Sequence, residues 1–348
     1  MRPFLLTILF GSSSILFAQP PAGYYDTAEG LTGEPLRQAL RDIIDGHTVL
    51  TNSALWNAFA QIDRKPNGKV WDIYSDVPGG TPPYQFDFGT HQCSGTLTYD
   101  GEGDCFNREH TFPSSWFNDA APPSTDLFHI YPTDAWVNQK RANWPYGTVG
   151  SSVTYQADNG GKLGQCTYSG CSGLAFEPID TYKGDLARGY FYILTRYMDD
   201  APNWTDAPVL DQGEFLPWVE SLLLAWHQAD PVSQKEVDRN NAIYGGLQHN
   251  RNPYIDHPEW VYRIWGPTAS MEDHQAATTR AWLDDDVIRY DRMGRSGKAT
   301  LNVYNAMGTL VRTTTLRAGT GTIPFDLPAG AYIIVLDDGA RSVHRVVR

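Results

Sequence analysis

The spacing of apolar residues changes once along this chain, close to Trp265-Gly266-Pro267. Before this point they recur at helical spacing in several segments, whereas from about Ala299 they alternate with polar residues between turns. A chain of 348 residues has room for two or three domains. We therefore expect an α+β chain with these parts in order: a helix-rich domain with few short strands at 20–266, a linker at 267–285 and a small all-β, sandwich-like domain at 286–348.

Helical spacing predicts most elements of the long domain. Two helices are expected between Gly33 and Ile62, joined around Gly46-His47. Further helices are expected over these ranges: 185–198 and 215–226, both amphipathic with one core face, 231–244 capped by Asp230, and 258–265. The segment VWDIYSDV at 70–77 alternates like a strand. We assign the aromatic residues at 190–197 and from Trp218 to Trp226 to the core rather than to base-stacking platforms.

The first 19 residues are typical of an export signal. Arg2 supplies the positive charge, an uncharged and largely apolar run follows to Phe17, and Ala18-Gln19 offers a small-residue cleavage site. This run is too short to span a bilayer, and the sequence contains no other stretch that is long and apolar enough. We therefore expect an exported protein without a transmembrane segment.

Export favours disulfides, and the four cysteines form an even number. Three pairings are open, and we favour Cys93 with Cys105 and Cys166 with Cys171, because each pair brackets a glycine-containing, turn-prone stretch. A four-thiolate zinc site is the alternative, but neither pair has the C-x2-C spacing. The first disulfide would brace the chain just before its densest polar cluster.

The negative charge is concentrated in the long domain. The formal net charge of the chain is −13, while residues 20–269 hold 16 basic and 31 acidic groups, a net charge of −15. Residues 270–348 hold 10 basic and 9 acidic groups, a net charge of +1. This balance argues against a simple cationic nucleic-acid binder or a membrane-surface protein.

Residues 107–143 nevertheless concentrate groups suited to phosphodiester hydrolysis. They include Glu109-His110, Asp126 with His129, and Asn138 with Arg141. The reaction needs a base that activates water, a cation that neutralises the phosphoryl oxygens, and help for the leaving oxygen. One histidine and one site of carboxylate and amide oxygens, the ligands that Mg2+ prefers, can supply all three.

The local pattern in this segment predicts the order strand, loop, strand, helix. The strands are expected at 108–112, ended by Pro113, and at 127–131, and Thr133 is expected to cap a helix from Asp134 to about Ala142. Asn138 and Arg141 would then share one helix face. Adjacent strand residues point to opposite faces, so Glu109 and His110 could reach one phosphate only if the strand ends or bulges there.

Two segments carry a family resemblance, NREHTFPSSWF and DLFHIYPTDAWVNQKRANWPYG. They resemble the catalytic segment of the secreted and periplasmic endonuclease I family, whose core is the ββα-metal, or His-metal, finger. Further segments resemble the same family in the expected order over most of 35–266: VWDIYSD, FEPIDTYKGDLARGYFYILTRY, LLLAWHQADPVSQKEVDRNNAIY and QHNRNPYIDHPEW.

This resemblance implies a function and a set of site residues. It makes His110 the general base that activates water, and it makes Glu109 and Asn138 the protein ligands of one divalent ion, Mg2+ with Mn2+ or Ca2+ as alternatives. It also implies cleavage of DNA, with RNA as a further substrate, to 5′-phosphate products with little sequence preference.

Two positions depart from the family pattern. Phe128 stands where many relatives have a polar residue, which leaves the role of His129 open, and 111–137 contains no arginine. Arg141, or less favourably Arg108 or Arg251, would therefore have to contact the phosphate. We also name Lys140 and Asn143 as candidate substrate contacts, although for Arg251 a structural role is favoured.

The C-terminal part resembles the sorting domain of type IX secretion substrates, through LNVYNAMGTLVRT, LPAGAYIIVL and a short basic strand that ends at Arg348. This resemblance implies a secretion machinery as partner and a location outside the cell or on its outer surface.

The sequence thus predicts a secreted, monomeric, metal-dependent, non-specific endonuclease. The alternative is a secreted nucleic-acid-binding or adhesive surface protein without catalysis, but Glu109, His110 and Asn138 are all present. A metallopeptidase is disfavoured because the chain has no H-E-x-x-H motif. Given the acidic long domain, we expect weak residence on DNA that relies on the divalent ion and on local basic positions such as Lys140 and Arg141.

Overall fold

The computed structural model describes the following residues: 20–93, 98–266, 280–284, 287–292, 299–305, 309–317, 319–328, 330–337 and 341–347. The chain divides into two compact units, with the boundary between Ala269 and Ser270. The predicted export signal lies outside the described residues.

The first unit combines helices with several small sheets, which confirms the α+β class. Its helices are α1 Gly33–Ile44, α2 Ala54–Ile62, α3 Ala135–Arg141, α4 Lys183–Arg196, α5 Pro217–Ala229, α6 Gln234–Gly246, α7 Pro253–Asp256 and α8 Glu259–Trp265. Its strands are β1 Phe106–His110, β2 Ile130–Asp134, β3 Val149–Gln156, β4 Lys162–Cys166, β5 Leu174–Glu177, β6 Leu210–Asp211 and β7 Glu214–Phe215. Strands β1 and β2 form one sheet, β3 to β5 a second and β6 with β7 a third. None of the described helices is long and apolar enough to cross a membrane.

Helix α4 runs through the core of this unit. Every residue from Gly184 to Arg196 is buried, so the expected amphipathic helix with one core face is wrong. The buried charge of Arg188 is paired, because its Nη2 donates to Glu236 Oε2 at 2.8 Å. A Cβ on Gly184 would lie 2.0 Å from the Asp230 carbonyl oxygen, so only glycine permits this approach.

The expected strand at 70–77 is also wrong, because these residues form a buried turn. Asp72 Oδ1 accepts a hydrogen bond from Tyr74 N at 2.8 Å, which is an Asx turn, and Asp72 Oδ2 accepts from Asp134 N at 2.9 Å. Burial raises the pKa of the Asp72 carboxyl to about 7. The alternation of polar and apolar residues that resembled a strand therefore arises because the polar side chains point inward and bind the backbone of the turn.

Helix α6 begins later than expected. Its cap is Ser233, which forms a capping box with Glu236, rather than Asp230. The Asp230 carboxylate instead accepts a hydrogen bond from Gly184 N at 2.8 Å, so it serves α4.

Both expected disulfides are confirmed. Cys93–Cys105 ties the chain ahead of β1 to the residue that precedes this strand, and Cys166–Cys171 closes a short loop after β4.

The second unit consists of β-strands, as expected. They are β8 Arg280–Asp284, β9 Val287–Arg292, β10 Ala299–Asn305, β11 Leu310–Leu316, β12 Gly319–Pro324, β13 Ala331–Asp337 and β14 Arg341–Val347. One sheet has the order β11-β10-β13-β14 and the other β12-β9-β8. Ile288 and Ile323 of the second sheet share one core with Leu301 and Ile334 of the first, which makes the unit sandwich-like. Strand β8 occupies the end of the predicted linker, and residues 267–279 lie outside the described part of the chain.

Candidate active site

The candidate site is built on β1, β2 and α3. The two strands are antiparallel in uninterrupted register, with Phe106 opposite Asp134 and His110 opposite Ile130. The second strand begins at Ile130 rather than 127, because Asp126 caps a 3-10 turn over Leu127–His129 before it. Asp134 rather than Thr133 caps α3, since its side chain accepts a hydrogen bond from Val137 N at 2.8 Å.

One face of β1 carries Glu109 against α3. The carboxylate is 2% exposed, and its Oε1 accepts hydrogen bonds from Tyr74 Oη at 2.7 Å and Arg141 Nη1 at 3.0 Å. Tyr74 Oη lies 2.9 Å from Tyr146 Oη, and the Arg141 guanidinium lies 4.6 Å from the centre of the Tyr146 ring. Burial raises the pKa of Glu109, while Arg141 and Tyr74 oppose that rise. The carboxylate is thus held in one position by Tyr74 and Arg141, which Tyr146 in turn contacts.

Asn138 lies on this same side of the motif. Its amide nitrogen donates to Asn107 Oδ1 at 2.8 Å and to the Arg108 carbonyl at 3.3 Å, so its Oδ1 points away from these two acceptors. The Glu109 carboxylate engages these partners through Oε1 alone. One carboxylate and one amide oxygen are hard ligands, and Mg2+ commonly binds through one or two protein oxygens, water and substrate phosphate. The donor types therefore fit the expected ion, while clusters of three or more histidine, cysteine or acidic residues that could bind a metal are absent from the described residues.

His110 lies on the opposite face of β1. Its Nε2 lies 3.0 Å from the Ser124 carbonyl oxygen. Because a carbonyl only accepts hydrogen bonds, Nε2 carries the proton and Nδ1 keeps its lone pair. Burial lowers the pKa of His110, the bond to Ser124 opposes this, and the charge of Arg108 lowers the pKa further. Burial thus favours the neutral imidazole, and the bond to Ser124 orients it.

Strand β1 ends at this pair without a bulge, which is one of the two arrangements expected, although it covers Phe106–His110 rather than 108–112. The pairing shows no shift of register, so Glu109 and His110 leave opposite faces of a regular strand. His110 is the last residue of β1, and the backbone turns away after it into a 3-10 helix at Ser114–Phe117. The two side chains are therefore neighbours only at the end of the strand.

His129 lies beneath His110. The two ring centres are 5.6 Å apart, and the His129 side chain is fully buried with Nε2 2.7 Å from the Pro123 carbonyl oxygen. Burial lowers the pKa of His129 to about 4. This histidine is neutral and supports the loop that also contains Ser124, which is a structural role.

The candidate basic residues fall into two groups. Arg141 is fully buried, and it also donates to the carbonyl oxygens of His110 at 3.0 Å and Thr111 at 2.6 Å. Arg251 is 2% exposed and is bound to the Asp256 carboxylate at 2.6 Å. Neither guanidinium is placed to meet a phosphate, because each would first have to leave its buried partner.

Arg108 and Lys140 are only partly buried. Arg108 shares the His110 face of β1, donates to Asn52 and lies 5.2 Å from the Trp56 ring centre. Lys140 lies 4.0 Å from the Trp136 ring centre. Asn143 is exposed just beyond α3. Of the three candidate arginines, Arg108 is therefore the one whose side chain is partly exposed, whereas Arg141 and Arg251 are buried.

Sequence reasoning missed three groups that hold the site. Tyr74 lies in the VWDIYSD segment, whose resemblance to the family could have marked it, and Tyr146 follows α3 by five residues. The Ser124 group is a backbone carbonyl, for which residue type gives no signal.

Comparison with known proteins adds a family. The profile of the family described as endonuclease I matches residues 32–259. The chain is 35% identical to an extracellular ribonuclease of Bacillus subtilis (strain 168), over 73% of this chain and 85% of that protein. It is also 35% identical to an extracellular ribonuclease of Bacillus amyloliquefaciens, over 74% of this chain and 84% of that protein. An endonuclease-1 of Buchnera aphidicola subsp. Baizongia pistaciae is 27% identical over 38% of this chain and 46% of that protein.

Proposed function

The chain belongs to the endonuclease I family and is therefore a nuclease, and we propose that it is an exported, metal-dependent endonuclease with His110 as general base. The observation that carries the proposal is the hydrogen bond from His110 Nε2 to the Ser124 carbonyl at 3.0 Å. It leaves Nδ1 as an unprotonated acceptor that can take a proton from the attacking water.

Glu109 and Asn138 would hold the ion, which we take to be Mg2+. When bound, such an ion polarises the scissile phosphate and stabilises charge on the leaving oxygen. The residues of the chain hold the Glu109 carboxylate in place. Arg141 and Tyr74 bind Glu109 Oε1, and Asn107 orients the Asn138 amide. Arg141 is thus a positioning residue in this proposal rather than a phosphate contact.

The phosphate charge would be met from the His110 face. Arg108 is the arginine on that face, and its guanidinium is partly exposed. A charge-assisted hydrogen bond from Arg108 to a phosphoryl oxygen would orient the substrate for attack by water. Lys140 and Asn143 would contact flanking phosphates or sugars, which are contacts that do not depend on sequence.

The substrate class is nucleic acid with little sequence preference, and we propose that both RNA and DNA are cleaved to 5′-phosphate products. The two Bacillus relatives are described as ribonucleases and the Buchnera relative as an endonuclease. The net charge of −15 on residues 20–269 opposes long-range attraction to polyanions. We therefore expect turnover that depends on the divalent ion rather than tight residence.

Export is supported by the relatives described as extracellular. We propose that residues 1–19 direct export and that the all-β C-terminal unit is a sorting domain for a type IX secretion machinery. The protein would act as a monomer outside the cell or on its outer surface.

The test is digestion of supercoiled plasmid and of single-stranded RNA by the mature protein. We expect cleavage with Mg2+, none with EDTA, and a fall in kcat of about 100- to 10,000-fold for His110→Ala. His110→Gln tests the same point with an amide that can still donate to Ser124. His249→Asn, at an exposed histidine with left-handed backbone geometry, is the matched control and should retain full activity. Full activity of a folded His110→Ala variant would remove the proposed base, and binding without cleavage by the wild type would favour a non-catalytic surface protein.

A further inference from the structure

A cavity of about 580 Å3 opens beside the end of α3. Three tryptophans contribute to its wall, together with the polar residues Asn143, Ser172 and Asp206. Trp116 is buried and Trp144 is 39% exposed. Trp218, which the sequence assigned to the core, is half-buried and lines this cavity. This size falls within the range of small-molecule sites, which are mostly apolar with a few polar groups.

The cavity is joined to the candidate active site by two chain segments. Trp144 N donates to the Arg141 carbonyl at 3.1 Å, and Arg141 in turn holds Glu109 and the His110 carbonyl. Trp116 belongs to the 3-10 helix that follows β1, and the ring of the next residue, Phe117, lies 6.5 Å from the His110 ring. These contacts tie the wall of the cavity to the segments that carry Glu109 and His110.

The chemistry of the wall selects an uncharged flat group. The residues that line the cavity, all within the described part of the chain, include no lysine, arginine or histidine, and they include one carboxylate, that of Asp206. A phosphate would find no basic side chain in this wall to neutralise its charge. Tryptophan faces with nearby amide and hydroxyl groups are the partners that proteins use for unstacked nucleobases.

The wall is fixed before any ligand binds. Cys166–Cys171 closes the loop that carries Gly170, and Tyr168 Oη lies 3.0 Å from Ser221 Oγ of α5. Gly170 has a φ of +88°, and a Cβ there would lie 2.9 Å from Trp218 Cβ. The loop and α5 are therefore packed in direct contact, and binding would not require them to be ordered first.

We propose that this cavity receives one unpaired nucleobase of the strand that is cleaved, and that single-stranded nucleic acid is therefore the preferred substrate. The proposal deepens the nuclease function above and rests on it. A base that is paired and stacked in a duplex must leave its stack before it can enter, whereas a base in a single strand is already free to do so.

The test uses single strands with one cleavable linkage, the other linkages being methylphosphonates. An abasic nucleotide is placed in turn at each of the positions that flank this linkage. We expect one position at which loss of the base lowers kcat/KM of the wild type by roughly 5- to 100-fold. Trp144→Ala should be insensitive to the same change, and Trp144→Phe should recover part of the sensitivity. Val153→Ala, at a residue of similar exposure (40%) outside the cavity wall, should behave as wild type.

A second readout is the ratio of cleavage rates on single-stranded and duplex substrate. It should exceed one for the wild type and fall towards one for Trp144→Ala. The proposal is overturned if no abasic position affects cleavage, or if wild type and Trp144→Ala respond alike. If Trp144→Ala does not fold, Trp144→Gln, which also lacks an aromatic face, takes its place in the same comparison.

Failure of the nuclease function can be told apart from failure of this inference. Wild-type protein that cleaves no nucleic acid contradicts the nuclease. Fluorescence anisotropy then measures the binding of the same oligonucleotides and tests whether the cavity receives a base. Equal affinity for the intact and every abasic strand would overturn the inference independently of cleavage.

Discussion

The two faces of strand β1 differ in how completely their side chains are bound. On the face towards α3, Glu109 is 2% exposed and holds hydrogen bonds with Arg141 and Tyr74. On the other face, Arg108 and His110 are partly exposed. The Arg108 guanidinium donates to the Asn52 carbonyl and lies over the Trp56 ring, and the His110 ring is bound to the Ser124 carbonyl. The Glu109 carboxylate is thus enclosed by its partners, whereas Arg108 and His110 keep part of their side chains exposed.

This difference teaches how a single five-residue strand can serve two chemical tasks. A metal ligand benefits from a fixed position, which the network around Glu109 provides. In the function proposed above, a general base and a phosphate contact must reach substrate, which requires the exposure that Arg108 and His110 retain. Substitutions on the two faces should therefore separate stability from activity.

The largest effect is expected for Arg141→Met on the face towards α3. Removal of this guanidinium leaves the Glu109 carboxylate buried without its cation, so the free energy of unfolding should fall by about 3–5 kcal/mol. Urea denaturation measures it. The double variant Glu109→Gln/Arg141→Met should recover part of the loss, because the unpaired charge is gone. A loss below about 1 kcal/mol for Arg141→Met would show that the network does not hold the face together.

Asn138→Ala tests the metal side of the same face. Loss of a ligand oxygen should raise the Mg2+ concentration needed for half-maximal activity by at least about tenfold, since even outer-shell partners cost 10- to 100-fold. The rise in Tm on addition of Mg2+ gives a readout that does not depend on activity. Asn107→Ala, which removes only the group that orients Asn138, should have the smaller effect. An unchanged Mg2+ requirement for Asn138→Ala would exclude it as a ligand.

Arg108→Met should lower kcat/KM by about tenfold, which corresponds to about 1.4 kcal/mol for a lost charge-assisted contact. The unfolding free energy should change by less than about 1 kcal/mol, because the side chain is partly solvated. Arg64→Met is the matched control, since Arg64 also lies over an aromatic ring, 4.5 Å from the centre of Phe88. Equal activity losses for both variants would deny Arg108 a specific role.

The smallest effect concerns pH. The pKa of His129 is lowered to about 4 by burial, whereas the unfolded chain titrates near 6.5. As pH falls, His129 therefore takes up a proton in the unfolded state before it does so in the folded state. The stability that neutral His129 contributes is complete above pH 6.5 and is lost as pH falls towards 4. Urea unfolding at pH 7.5 and at pH 5 measures how much unfolding free energy is lost between the two. This loss should be smaller for His129→Gln than for the wild type by on the order of 1 kcal/mol. An identical pH dependence would mean that His129 is accessible to protons in the folded state.

The sequence predicted the order of the local elements better than the contacts between distant segments. The cluster at 107–143, the order of the motif and both disulfides could be predicted, because they depend on local spacing and on residue type. The buried position of Arg141 could not, because it depends on Tyr74 and Tyr146, which two separate segments bring to the same place. An arginine beside a catalytic motif has the same sequence appearance whether it is solvated or enclosed.

The turn at 70–77 shows a second limit. Its alternating pattern is typical of a strand, but the polar residues point inward because Asp72 bonds the backbone of Tyr74 and Asp134. Likewise, α4 has the helical spacing of an amphipathic helix, yet its polar residues are paired within the core. Periodicity indicates which residues share a face of an element. It does not indicate that the polar face is exposed, because polar groups that pair with each other can be buried.

The division of β1 into a metal-holding face and a base-carrying face is tested most directly by anomalous diffraction from crystals of the His110→Ala variant with Mn2+ and a short single strand. The account predicts one ion bound by Glu109 and Asn138 that also contacts a substrate phosphate, with Arg141 still on Glu109 and Arg108 on the phosphate. An ion bound by other residues, or a phosphate held by Arg141 away from β1, would contradict it.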